Sequence, residues 1–277
     1  MNYFEVKFSI NPFHPWSDLL SAELGEIGFE SFVEEEEHLL AYVEADLYDE
    51  SAIRAVDTLN NEDVLVSFES KELAQQNWNK EWESNFEPVY VDDEICVRAT
   101  FHQPEPNYKY EIVIDPKMSF GTGHHATTHL ILSAMRNIDF NEKSVLDMGS
   151  GTGVLAIFAA LKGAKPIYAI DIDEWCSVNA IENAARNGVD FIQISQGGKE
   201  KIAGLMVDVV LANINRNILL DQFEAYAHAL HAGGQLHISG FYKEDVPVLV
   251  AEANKNNLEY VRQNSIGEWT TVMFYKK

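Results

Sequence analysis

The sequence predicts an α/β chain, a mostly parallel sheet with helices on both faces, preceded by a small α+β module. Three observations carry this. From Lys143 onward strand-like and helix-like runs alternate, the pattern of parallel strands joined by crossover helices. The first quarter instead reads strand, helix, strand, strand, helix, strand, the βαββαβ order of a ferredoxin-like module. At the start of the alternating part stands VLDMGSGTGVLAIFAA, with Asp147, Gly149, Gly151 and Gly153 spaced as D-x-G-x-G-x-G between a strand and a helix.

Taken in order, alternation of apolar and polar side chains predicts a strand over 3–10, and the next periodic run a helix over 16–27. Strands over 29–34 and 39–45, a helix over 50–60 and a strand over 64–68 complete the module. Trp78, Trp82 and Phe86 then recur every four residues, placing three aromatics on one face of a linker helix that Pro88 ends. Runs 89–99 and 110–114, separated by HQPEPNYK, are expected to pair as a hairpin leading into the sheet. A helix from about Ala126 follows a Gly-Thr-Gly turn. The sheet is expected to use strands over 144–147, 167–172, 191–195, 207–212 and 235–239, with helices near 154–162, 174–187, 217–231 and 244–256. Strands over 260–265 and 270–275, joined at Gly267, should close it as an antiparallel hairpin, making seven strands. The implied domains are 1–72 for the module, 73–90 for the linker helix and 91–277 for the large domain.

The 277 residues, 46% of them hydrophobic, suffice for a large domain and a small one with a substantial core. Against 20 Lys and Arg stand 44 Asp and Glu, a formal charge of -24, which argues against a broad phosphate-binding surface. Bulk nucleic acid and anionic lipid are therefore not expected as partners. The acidity is concentrated: residues 1–75 hold 18 acidic and 3 basic side chains, net -15. The run Glu34 to Glu37 within them reads either as a direct substrate contact or as solvated surface. Two cysteines, Cys96 and Cys176, are too few for a disulfide framework or a four-thiolate zinc site and fit a reducing cytosol. No run approaches the ~18 apolar residues of a membrane span, and MNYFEVKFSI lacks the regions of a signal peptide, so a cytoplasmic location is expected.

Glycines at a strand end let the backbone turn tightly and approach a ligand where a Cβ would collide. A dinucleotide fingerprint would need G-x-G-x-x-G, and the required position holds Val154, so a pyrophosphate fits less well than a ligand bearing an amino acid group. Asp171, 22 residues beyond Gly149 in YAIDID, is placed to accept hydrogen bonds from ribose hydroxyls. Asp173 competes for that role, and one of the two should cap the helix from Glu174. Asn213 ends the strand in VDVVLANINRN, where open α/β sheets bind ligands, and its amide suits an amine substrate. Its alternative is to cap the following helix, which Asn215 could do equally well. Upstream, DPKMSFGTGHHATTHL offers main-chain donors and the hydroxyls of Thr127 and Thr128. His125 and His129 share a helical face, but with no H-E-x-x-H arrangement and no evident third ligand no metal is expected.

In this order and spacing SFGTGHHATTHL, VLDMGSGTGVLAI, YAIDID and VLANI resemble the class I S-adenosylmethionine-dependent methyltransferases, whose fold is Rossmann-like. The first motif, the N-terminal module and the linker QNWNKEWESNF resemble more narrowly the ribosomal protein L11 methyltransferase (PrmA) family. The resemblance implies S-adenosyl-L-methionine as cofactor, with contacts at Thr128, Gly149, Asp171 and Asn213. It also implies a loop of Phe120, Gly121, Thr122 and Gly123 over the methionine part, and Asp147 and Gly151 complete the candidate set. Departures are Ala126, often proline in the family, and NINRN after the last strand motif. The implied reaction is in-line attack by an amine, a lysine side chain or an N-terminal amine, on the sulfonium methyl, with Asn213 as the catalytic residue that holds the amine. The module would recognise ribosomal protein L11, and the family implies a monomer. A small-molecule or nucleic-acid amine methyltransferase and a non-catalytic cofactor-binding module are the alternative functions.

Overall fold

In the computed structural model, which describes residues 3–35, 38–73, 86–115, 117 and 119–277, the chain divides into units Met1–Asn85 and Phe86–Lys277. The first unit follows from strict alternation. In β1 (Tyr3–Asn11) Val6, Phe8 and Ile10 are buried while their neighbours are not. These side chains meet Leu20 and Leu24 of α1 (Trp16–Glu26), Phe29 of β2 (Phe29–Glu35), Leu39, Ala41 and Val43 of β3 (His38–Glu44) and Ile53 of α2 (Glu50–Ala55) in one core. With β4 (Leu65–Leu73) the sheet runs β2-β3-β1-β4, antiparallel throughout, the arrangement expected of βαββαβ.

The helix expected over 50–60 is shorter. The Asp49 side chain caps α2 by accepting from the N–H of Ser51 and Ala52. At Val56 the backbone turns extended (φ -65, ψ 145), burying this β-branched side chain, and 57–60 form a 3₁₀ turn. Trp78 and Trp82 of the expected linker helix lie outside the described residues, as do Glu36 and Glu37. Glu34 and Glu35 stand exposed on β2.

The second unit opens with a correction. Residues 89–99 are not one strand paired with 110–114: β5 (Val89–Val91) and β6 (Ile95–Ala99) form the antiparallel hairpin themselves, and β6 pairs β7 (Tyr110–Ile114) in parallel. The turn is made at Asp92, whose φ of 48 breaks the extended run. After α3 (Ala126–Arg136) come β8 (Val145–Met148), α4 (Val154–Leu161), β9 (Ile167–Asp171), α5 (Glu174–Arg186) and β10 (Gln193–Gln196). They are followed by β11 (Val207–Asn213), α6 (Arg216–Ala229), β12 (Leu230–Tyr242), α7 (Val246–Lys255), β13 (Leu258–Ile266) and β14 (Trp269–Lys276). The sheet order is β10-β9-β8-β11-β12-β14-β13, parallel except for the last two pairings.

Both faces of this sheet are covered, so its central strands are mostly apolar, with Asp147 of β8 a buried exception. Val145, Ile167, Val209 and Leu211 pack toward α3 and α4, while Leu146, Met148, Ile170 and Val210 pack toward α6 and α7. The chain winds one way from β8 to β10 and then returns to β11 on the other side. A crevice therefore opens at the carboxyl ends of β8 and β11, the switch point of the topology.

Candidate functional site

A cavity of about 530 Å³ occupies that crevice. The glycine turn after β8 forms its floor. Gly149 and Gly151 have positive φ, and a Cβ on them would strike the Ile214 side chain and the Phe120 carbonyl. Thr152 N–H donates to that carbonyl at 2.9 Å, and the Thr152 hydroxyl donates to the Gly121 carbonyl at 2.7 Å. The turn and the loop around Phe120 are thus laid directly on each other. Asp171, at the end of β9, accepts from Gly151 N–H at 2.8 Å with one oxygen and from Asp173 N–H at 3.0 Å with the other. Each carboxylate oxygen keeps a second lone pair for a ligand. Asp173 occupies the N-cap position of α5, yet its side chain makes no capping bond and lines the cavity beside Asp171.

Three asparagines hold the neighbouring strand in place. Along one face of α5 and its end, Asn179, Asn183 and Asn187 recur every four residues. Asn187 exchanges both hydrogen bonds with the backbone of Val113, at 2.9 and 2.7 Å, as a strand partner would. Asn183 accepts from Asp115 N–H and donates to the Thr152 carbonyl, and Asn179 donates to the Asp115 carbonyl. The end of β7 is thereby fastened to the glycine turn.

Asn213 is aimed from the opposite wall. Its Nδ2 donates to the hydroxyl of Thr128 at 3.2 Å, and its Oδ1 is buried without a partner among the described residues. Asn215, not Asn213, caps α6, accepting from Ile218 N–H at 3.1 Å. Phe120, His125 and Trp269 line the same cavity: Phe120 and His125 lie 5.4 Å apart between centroids, His125 is edge-on to Trp269 at 4.6 Å, and Trp269 is beside Tyr242 at 4.4 Å. His125 also caps α3 through Nδ1, which accepts from Thr127 N–H, and His124 bonds Thr122 and the Glu87 carbonyl.

Of the expected residues, Phe120, Gly149, Gly151, Asp171 and Asn213 line the cavity together. Thr128 and Asp147 lie behind the lining, both fully buried, and Gly121, Thr122 and Gly123 are engaged elsewhere: the Gly121 carbonyl accepts from the Thr152 hydroxyl, Thr122 bonds His124 and Gly123 abuts Val89. Asp147 accepts from Ala156 N–H at 3.0 Å, and burial pushes its carboxyl up to about 7, with the nearby Asp171 adding to the shift. Sequence reasoning missed Gly197 and Gly198, which a glycine pair after a strand could have signalled, and it missed Ile172, Trp175, Gln222 and Trp269. Trp269 arrives through the insertion of β14 between β12 and β13, which leaves no local mark in the sequence.

A seven-stranded sheet of this order, with a glycine turn at its switch point and an acidic residue ending the second strand, defines the class I methyltransferases. The relatives narrow this. Residues 21–277 match the family described as Ribosomal protein L11 methyltransferase (PrmA). The chain is 44% identical over 278 residues to the Ribosomal protein L11 methyltransferase of Bacteroides thetaiotaomicron, covering 99% of each chain. It is 43% identical to that of Phocaeicola vulgatus, covering 100% of both. Among solved structures it is similar to the ribosomal protein L11 methylase of Lactobacillus delbrueckii subsp. bulgaricus, with a TM-score of 0.64, 27% identity, and coverage of 69% of this chain and 100% of the other. The chain belongs to the ribosomal protein L11 methyltransferase (PrmA) family.

The cofactor of this class is S-adenosylmethionine, and the residues present fit it. Asn213 on the cavity wall and Ser150, between the lining residues Gly149 and Gly151, each hold a buried side-chain oxygen without a partner among the described residues. Side chains at positions 149 and 151 would collide with Ile214 and the Phe120 carbonyl, two residues of the cavity wall, so the turn keeps its backbone bare there. Asp171 and Asp173 supply acceptors for hydroxyls, and Ile172 and Trp175 supply apolar surface.

Proposed function

We propose that this chain transfers methyl groups from S-adenosylmethionine to amino groups of ribosomal protein L11, on lysine side chains, the N-terminal amine, or both. The observation that carries the reading is Asn213 on the cavity wall, its Nδ2 donating to Thr128 and its Oδ1 buried without a partner among the described residues. When bound, S-adenosylmethionine supplies an electrophilic methyl group. The protein's task is then to hold a neutral amine in position and to keep water away.

An ordinary lysine amine at pH 7 lies about 3.4 units below its reference pKa of about 10.4, so its free base costs about 4.6 kcal/mol. Enclosure by Phe120, His125 and Trp269 disfavours the ammonium form and lowers that cost. Asn213 Oδ1 accepts one N–H, which leaves the nitrogen lone pair free to point along the cavity. Asp171 accepts from the ribose hydroxyls while keeping the glycine turn in shape through Gly151 N–H. No dedicated base is needed in this scheme.

The acidic first quarter, net -15 over residues 1–75, supports a role for the first unit in recognising a basic ribosomal protein. The chain acts as a monomer in the cytoplasm, where Cys96 and Cys176, both buried and free, stay reduced, and nucleic acid and membranes are not its partners. Labelled-methyl transfer to unmodified L11 tests the reading. Asn213→Ala is expected to lower kcat roughly 100-fold while the Kd for S-adenosylhomocysteine changes less than about threefold. Equal losses in both would make Asn213 a cofactor ligand only.

A further inference from the structure

Gln222 lies one turn beyond Ile218 on α6, and both side chains line the cavity. α6 packs against the turn at 199–202, which follows Gly197 and Gly198, and the Lys199–Asp221 ion pair at 2.6 Å ties the two. Gln222 therefore belongs to the part of the cavity bounded by the segment after β10. The apolar side chains there are held out of the core: Ile172 is 71% exposed and Ile218 41%. Gln222 itself is only 7% exposed, so its amide needs partners.

One partner is the Tyr226 hydroxyl, which donates to Gln222 Oε1 at 2.5 Å. Tyr226 is wholly buried, and burial raises its pKa far above the usual phenol range, so it stays a donor at every working pH. A carboxamide held by its oxygen presents its NH₂ at the other end. Gln222 Nε2 has no acceptor among the described residues. A planar apolar ligand edged with ring nitrogens, each an acceptor, matches this arrangement of exposed isoleucines and a single oriented donor.

We infer that Gln222 Nε2 donates a hydrogen bond to a ring nitrogen of the cofactor's adenine, and that Tyr226 is a positioning residue that keeps Gln222 in the donor orientation. The inference rests on the cofactor reading and deepens it. Calorimetric titration of the full chain with S-adenosylhomocysteine and with its 1-deaza, 3-deaza and 7-deaza analogues tests it. One analogue, the one lacking the bonded nitrogen, is expected to bind wild type roughly 3- to 12-fold more weakly than the parent. Gln222→Leu should weaken the parent by a similar factor and bind that analogue and the parent alike. Gln222→Glu keeps an acceptor for Tyr226 but offers no donor, and should prefer the deaza analogue. Tyr226→Phe should reduce the discrimination while Gln222 is intact.

Discrimination that survives unchanged in Gln222→Leu or Gln222→Glu would overturn the inference, as would equal binding of all four ligands to wild type. Wild type that binds none of them would overturn the cofactor reading itself, and the role of Gln222 with it.

Discussion

Asp147 is a carboxyl group held away from water, with one oxygen bonded to Ala156 N–H and the other without a partner among the described residues. Burial raises its pKa to about 7, above the ~3.9 of an unfolded chain. Folding thus favours the protonated form. Stability from this group is complete below about pH 4 and is lost as pH rises toward 7. Asp147→Asn keeps an acceptor for Ala156 and removes the ionisation. Urea midpoints should therefore fall in wild type relative to the variant between pH 4 and 7, on the order of 1.4 kcal/mol per pH unit within the window. Parallel curves would show that the carboxyl titrates normally. The residue types at Asp147, Asp171 and Asn213 were legible in the sequence because each stands at or near a strand's carboxyl end. Whether a side chain lines the cavity or stands in the layer behind it was not, and Thr128 and Asp147 stand behind the lining.

At the scale of elements, side chains stand in for backbone partners. Lys162 Nζ donates to the carbonyls of Met135, Arg136 and Ile138 at 2.6 to 2.9 Å, closing the carboxyl end of α3 from outside. Asn187 does the same for β7, satisfying both backbone groups of Val113. Replacing Asn187 by Leu leaves those groups without partners in a partly buried place, at about 1–3 kcal/mol for each. Differential scanning calorimetry should show Tm falling by several degrees, and an unchanged Tm would mean that water takes over both bonds. Asparagines spaced by four along a helix read in the sequence as ordinary polar positions, so this support was invisible. The hairpin within 89–99 escaped for a related reason. Apolar runs on both sides of Asp92 fit one long strand, and only the positive φ at Asp92 divides them. Where periodicity and punctuation agree, as from β8 to β11, the elements were readable to within a few residues, whereas β12, expected over 235–239, runs over Leu230–Tyr242.

The whole molecule carries a formal charge of -24, well beyond what a cavity for one small ligand requires. Repulsion among so many carboxylates opposes compaction, so a use for the field is the stronger account wherever the partner is basic. Ribosomal proteins usually are. Steering of this kind acts on encounter and is screened by salt, because the Debye length shrinks from about 10 Å at 0.1 M to about 3 Å at 1 M. The acidic field should therefore raise kcat/KM for L11 at low ionic strength through KM, and leave the chemical step untouched. Methyl transfer measured across this salt range should show kcat/KM for L11 falling by at least tenfold, with kcat nearly constant and the Kd of S-adenosylhomocysteine little changed. A flat response would assign the charge to solubility alone. A parallel fall in kcat would place the salt effect at the reacting groups and not on the encounter.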